Sequence, residues 1–131
     1  MKKVFRIFLI CFAVFVVLTG AGIYTLDRLF SGMCGNAIYL NENAPGGRIK
    51  AVVFQRDCGA TTGLSTQVSI LPSGESLPNE SGNTFIVDGY PDDISIELSW
   101  ISPSELVIHH SAHLETYKKE TRIKGVNITY K

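Results

Sequence analysis

The sequence predicts a mainly β protein: a small antiparallel sandwich or curled meander of about six strands, preceded by one N-terminal transmembrane helix. Three observations carry this expectation. Twenty consecutive uncharged, largely apolar residues stand near the N-terminus. Beyond residue 33 no long segment repeats at helical period, and the apolar runs are short and bounded by Gly, Pro, Asn and Ser. Several of these runs alternate apolar with polar residues, the pattern of a strand with one buried face.

Residues 1–6 form a basic N-terminus with Lys2, Lys3 and Arg6. Residues 7–26 (IFLICFAVFVVLTGAGIYTL) follow, a length that spans about 30 Å as a helix, the thickness of a bilayer's hydrocarbon core. The preceding cations place the N-terminus in the cytoplasm and the remainder outside, so the expectation is a single-pass membrane protein. The alternative is secretion after signal cleavage: residues 7–18 suit an apolar signal core, and Thr19-Gly20-Ala21 offers small residues to a peptidase. The anchor is preferred because apolar character continues through Ile23, Tyr24 and Leu26. A buried core helix is disfavoured, since the segment is apolar on every face. Residues 27–33 read as a linker and 34–131 as an extracytoplasmic β-domain.

Within that domain, residues 48–55 (RIKAVVFQ) read as a strand after the turn cluster of residues 43–47 (NAPGG). Residues 66–71 (TQVSIL) alternate as a half-buried strand and end at Pro72-Ser73-Gly74. Residues 83–88 (NTFIVD) come next. In residues 94–100 (ISIELSW), Ile94, Ile96, Leu98 and Trp100 share one face, with Trp100 expected to supply the largest core burial. Ser102-Pro103-Ser104 links this run to residues 105–110 (ELVIHH) as an antiparallel hairpin. Residues 111–119 read equally as a helical turn or a bend. Residues 121–130 (TRIKGVNITY) form a final strand, with Gly125 a bulge.

Of the three cysteines, Cys11 lies in the apolar segment, leaving Cys34 and Cys58 as an even pair in a disulfide-permissive compartment. Closing their 24-residue separation is worth about 3–4 kcal/mol by chain-entropy arithmetic. Cys58 stands in the run Arg56-Asp57-Cys58-Gly59-Ala60-Thr61-Thr62-Gly63, which resembles a catalytic loop. A nucleophilic role needs a free thiolate, which export works against; Asp57 would raise the thiol pKa, whereas Arg56 would lower it. The disulfide-pinned loop is the expected reading. Its hydroxyls, with Ser65 and Thr66, serve loop architecture first. Arg56, Asp57, Thr61 and Thr62 are nevertheless the expected binding residues, because pinned loops carry recognition.

The run RDCGATTGLSTQVSIL, residues 56–71, together with Cys34-Gly35-Asn36, resembles a group of small bacterial proteins of unknown function, many with an N-terminal membrane or signal segment. Members of that group often place Ser-Pro-Asp-Gly-Lys before the first strand. This chain has Ala44-Pro45-Gly46-Gly47-Arg48 instead, without the aspartate. The resemblance implies a bacterial origin and a recurring fold, and it carries no activity.

Residues 34–131 hold eight Lys or Arg against eleven Asp or Glu, a net of −3 with the cations scattered, which argues against nucleic acid. His109, His110 and His113 are the best metal candidates, with zinc spacing only if the segment is helical; on strands, His109 and His110 face opposite sides. Asp92-Asp93 with Asp88 lacks the spacing of a calcium loop. No phosphate loop, serine-hydrolase signature or dinucleotide fingerprint occurs. The expectation is therefore a non-enzymatic binding or interaction module, without cofactor, tethered through residues 7–26 and partnered by an envelope protein. The alternatives are an accessory subunit of a membrane complex, and a cysteine- or metal-dependent hydrolase using Cys58 or the histidines.

Overall fold

A computed structural model describes the chain apart from Gly32, Ala60, Thr61 and Ala112, and gives the backbone alone for Asp27, Phe30 and Ser31. It divides into two units, Met1–Met33 and Cys34–Lys131.

The first unit is one helix, α1 (Lys2–Ser31), whose Lys2–Leu26 stretch has a mean hydropathy of 2.5 and is long and apolar enough to cross a membrane. Its polar side chains turn back on the helix. The Thr19 hydroxyl donates to the carbonyls of Phe15 (2.9 Å) and Val16 (3.0 Å), and Thr25 to those of Ala21 and Gly22 (3.0 Å each). Such self-satisfaction is what an apolar medium demands of a hydroxyl.

The second unit is a β-sandwich. Strands β1 (Gly35–Asn43), β2 (Ile49–Asp57), β3 (Leu64–Pro72), β4 (Phe85–Asp88) and β7 (Thr116–Lys119) make a five-stranded antiparallel sheet in the order β1-β2-β3-β4-β7. Strands β5 (Glu97–Ser102), β6 (Glu105–His109), β8 (Arg122–Ile123) and β9 (Val126–Tyr130) make a second sheet in the order β5-β6-β9-β8. Its β6–β9 pair is the one parallel pairing among the described strands. The core lies between the sheets: Ala51, Val53, Val68, Ile70, Phe85 and Val87 from the first meet Leu98, Leu106, Ile108, Val126 and Ile128 from the second, with Ile94 and Ile96 from the segment before β5.

Nine strands replace the expected six, for local reasons. Strand β1 is an edge strand, largely exposed, so its sequence GNAIYLNEN shows no clean burial alternation. Part of the ambiguous 111–119 segment is β7, which extends the first sheet beside β4. The expected last strand is two: Lys124 (φ 47°) and Gly125 (φ 80°) occupy the left-handed region between Ile123 and Val126, which face each other. That is a two-residue hairpin turn with both central φ values positive, so Gly125 turns the chain and makes no bulge.

Two burial expectations also change. Strand β3 was expected to be half exposed, yet Thr66 to Leu71 are buried on both faces, because the 73–84 segment lies over its outer side. Asn83 replaces a neighbouring strand there: its Oδ1 accepts from the Ile70 N–H and its Nδ2 donates to the Ile70 carbonyl, both at 2.9 Å. Gln67 Oε1 accepts from the Gly82 N–H (2.6 Å), and Ser69 Oγ accepts from the Asn83 N–H (3.2 Å). Leu77 then closes a small second core with Val52, Phe54 and Leu71. The polar half of the TQVSIL pattern thus holds a covering segment. Trp100 is only partly buried, and Phe54 and Phe85 are the largest fully buried side chains. The 94–100 run keeps its predicted inward face, although the strand itself begins at Glu97.

The C-terminal strand is held by an aromatic cluster. Tyr130 packs 5.3 Å from Phe85, ring to ring, and its hydroxyl donates to the Glu120 carbonyl at 2.6 Å. Burial first, and the Glu120 charge second, raise the phenol well above its ordinary 10.0. The proton is therefore held more tightly folded than unfolded. Stability should be level below about pH 10 and decline as pH rises above it, where the unfolded phenol ionises first. Urea midpoints measured from about pH 8 to pH 11 should show this decline, and Tyr130→Phe should make it shallower.

Candidate functional site

The β2–β3 connection carries the CGATTG residues at one end of the five-stranded sheet. Gly35 faces Asp57 in the β1–β2 register, so Cys34 and Cys58 are the next opposed pair, and their sulfurs are joined (2.07 Å). The bond fits an oxidising compartment. It also leaves Cys58 without a thiol. The loop turns at Gly59 (φ 95°) and Gly63 (φ 68°), both in backbone conformations that glycine alone adopts without strain. Asp57 extends its carboxylate to the Gly59 N–H at 2.8 Å, and the Thr62 N–H reaches the Gly59 carbonyl at 3.3 Å. Asp57 is thus engaged in shaping the turn, as aspartates in such turns are.

Beneath this loop, on the outer face of the sheet, lies a cavity of about 210 Å³. Arg56 and Cys58 reach it from β2, Thr62 and Gly63 from the loop, and Ser65 and Gln67 from β3. Ile86 and Asp88 contribute from β4, Tyr117 from β7 and Ser81 from the covering segment. Alternation explains the gathering. On β2 the inward residues are Ala51 and Val53, so Arg56 belongs to the outward set with Val52 and Phe54. The same parity turns Ser65 and Gln67 outward on β3, and Ile86 and Asp88 outward on β4.

Arg56 is the most constrained of these groups, at 8% exposure. Its Nη1 donates to Asn36 Oδ1 (2.7 Å) and Asn79 Oδ1 (3.3 Å). Asn36 Nδ2 in turn donates to the carbonyls of Pro78 (3.0 Å) and Glu80 (2.9 Å), and Asn79 Nδ2 to the Cys34 carbonyl (2.8 Å). The guanidinium therefore ties β1, β2 and the covering segment together beside the disulfide. Its hydrogen-bond partners are neutral amides, and among the described residues no carboxylate lies within 4.0 Å of it. Its charge is therefore unneutralised by the described residues, and the side chain lines the cavity. Tyr117 lies where the β4–β7 register shifts, and its phenol is raised by the nearby Glu115 charge, then by burial, then by Asp88.

Of the expected binding residues, Arg56 and Thr62 line the cavity, Asp57 shapes the loop, and Thr61 lies outside the described residues. Gln67, Ser81 and Tyr117 were missed, having no signal in the loop motif. The histidines are dispersed in role. His109 ends β6, His110 packs 4.8 Å from the Phe85 ring with Nδ1 3.0 Å from the Ser111 carbonyl, and His113 is exposed. Among the described residues no group of three His, Cys, Asp or Glu side chains is placed to hold a metal. Asp92 accepts a hydrogen bond from the Tyr39 hydroxyl at 2.7 Å.

No protein-family model, curated protein or solved structure matches the chain.

Proposed function

We propose that this chain is a binding module of the bacterial envelope. It is tethered by α1 with its N-terminus in the cytoplasm, and it presents the cavity under the Cys34–Cys58 loop to an envelope protein. The observation that carries this reading is the cavity itself: a disulfide, a buried guanidinium and two turn glycines hold its walls, which is the preorganisation recognition needs. The apolar helix supports the tether. The resemblance of residues 56–71 to small bacterial proteins supports the setting. A binding role without covalent chemistry fits a site whose one sulfur is bonded and whose remaining groups are hydroxyls, amides, a guanidinium and a carboxylate.

The test is crosslinking of the full chain in bacterial membranes, followed by capture. An envelope protein should be enriched by the native chain and lost with the Arg56→Ala, Thr62→Ala double variant. A variant Ile101→Ala, altered on an exposed side chain of β5, should retain it. Equal capture by all three chains would reject the reading, because the cavity would then play no part.

A further inference from the structure

The register places opposite charges in one row of the cavity. Arg56 on β2 faces Ser65 on β3, and Ser65 faces Asp88 on β4. All three line the same cavity. Two strand spacings separate the Arg56 and Asp88 backbones, about 9.5 Å by sheet geometry. Arg56 commits Nη1 to Asn36 and Asn79, both on the side away from Asp88. Its Nε and Nη2 bond to no described residue. Neither Arg56 nor Asp88 has an opposite charge within 4.0 Å among the described residues. The row therefore reads cation, hydroxyl, anion, with space above it.

We propose that this cavity receives a small zwitterion of the amino-acid class, its carboxylate on Arg56 and its ammonium on Asp88, with Ser65 between them. This inference rests on the binding reading above and specifies the ligand chemistry of the same site. A simple anion would gain Arg56 but meet the field of Asp88, and a simple cation would gain Asp88 but meet Arg56. A molecule carrying both charges a few ångströms apart satisfies both ends at once. A cavity of about 210 Å³ admits several water-sized groups, the scale of a small amino acid or of one terminal residue. The rim supplies the Thr62 hydroxyl and the Tyr117 phenol for remaining polar groups. A carboxylate and an ammonium on one small carbon frame are found in a free amino acid, and equally in a polypeptide ending in lysine.

The test is a titration of the full chain, ¹⁵N-labelled in detergent micelles, following the amides of Gly63, Ser65 and Asp88. The probes are alanine, lysine, N-acetyl-alanyl-lysine with a free carboxylate, acetate and methylammonium. The zwitterions should give saturable shifts at these amides, and acetate and methylammonium should give none at equal concentration. Arg56→Ala removes a buried tie, so Asp88→Asn and Ser65→Ala carry the test. Asp88→Asn should weaken zwitterion binding about threefold to tenfold, the range for one partly exposed charge-assisted contact. Binding by the acetylated dipeptide supports the inference and fits presentation by an envelope polypeptide; binding by the free amino acids alone supports the zwitterion site but overturns the envelope protein as the occupant of this cavity. Shifts as large with acetate, unaffected by Asp88→Asn, would overturn the inference in favour of a plain anion site. An absence of shifts with every probe would overturn it too; Arg56-dependent capture from membranes would still leave the binding module standing.

Discussion

Replacing Cys34 and Cys58 together by serine should lower the stability of the β-domain by about 3–4 kcal/mol, the chain-entropy value for a loop of this length. For a domain of this size, with a total stability of about 5–15 kcal/mol, the loss is a large fraction. It corresponds to a melting temperature lower by roughly 15–25 °C. The structural reason lies in what else the bond holds. Strand β1 is an outer strand with largely exposed side chains, so little burial keeps it in place. At its start, Asn36 and the Cys34 carbonyl anchor Arg56 and Asn79. Loosening that end frays the wall of the cavity before the sandwich core is touched. Thermal melts followed by the fluorescence of the single tryptophan, Trp100, would measure the global effect. A loss below about 1 kcal/mol would mean that the β1–β2 ladder holds the edge unaided.

Phe85→Ala should cost about 3–5 kcal/mol, the range for deleting a buried phenyl ring. Phe85 has 0% exposure and stands in the inter-sheet core, with its ring 4.8 Å from His110 and 5.3 Å from Tyr130. The substitution removes transfer energy and leaves a void that packed sheets on both sides resist filling. It also removes the surface on which His110, just after β6, and Tyr130, at the end of β9, rest. Ile101, at 66% exposure in β5, is the matched control, and Ile101→Ala should fall within about 0.5 kcal/mol of the native protein. Urea midpoints would separate the two: at a slope of about 1–3 kcal/mol/M, the Phe85 variant shifts by on the order of 2 M and the control hardly at all. Comparable shifts would place the core elsewhere.

These two expectations depend on residues of differing legibility. The inward face of Ile94, Ile96, Leu98 and Trp100 could be read from alternation, because β5 has one buried side and period two is a strong local signal. The β5–β6 hairpin was equally open, through Pro103 and the strands either side. Strand β1 was not, since an exposed edge leaves no burial pattern in its sequence. Nor was the covering of Gln67 and Ser69: their polarity suggested solvent, whereas the partner is a segment more than ten residues later that uses them as hydrogen-bond posts. At the candidate site, Arg56 and Thr62 announce themselves in the compact RDCGATTG run. Asp88 and Tyr117 join them only through sheet order, which places β4 and β7 beside β3, and Ser81 only through the covering segment; no local pattern encodes either adjacency. Gly125 shows the converse limit. Its conformational freedom was evident, but a bulge and a turn demand the same freedom, and only the facing of Ile123 with Val126 decides between them.

The parallel pairing of β6 with β9 has a temporal consequence. Every contact needed to bring Cys34 and Cys58 together lies within β1, β2 and the turn between them, so that hairpin can be sealed once residue 58 is available. The second sheet follows another schedule. Strand β9 sits between β6 and β8, so β8 has no place in that sheet until residues 126–130 have arrived. One end of the sandwich is therefore decided early by neighbours in sequence, and the other waits for distant ones, whose closure entropy is the slow part of assembling a β fold. Until the second sheet is complete, the inner faces of β2 and β3 lack part of the cover they have in the finished sandwich.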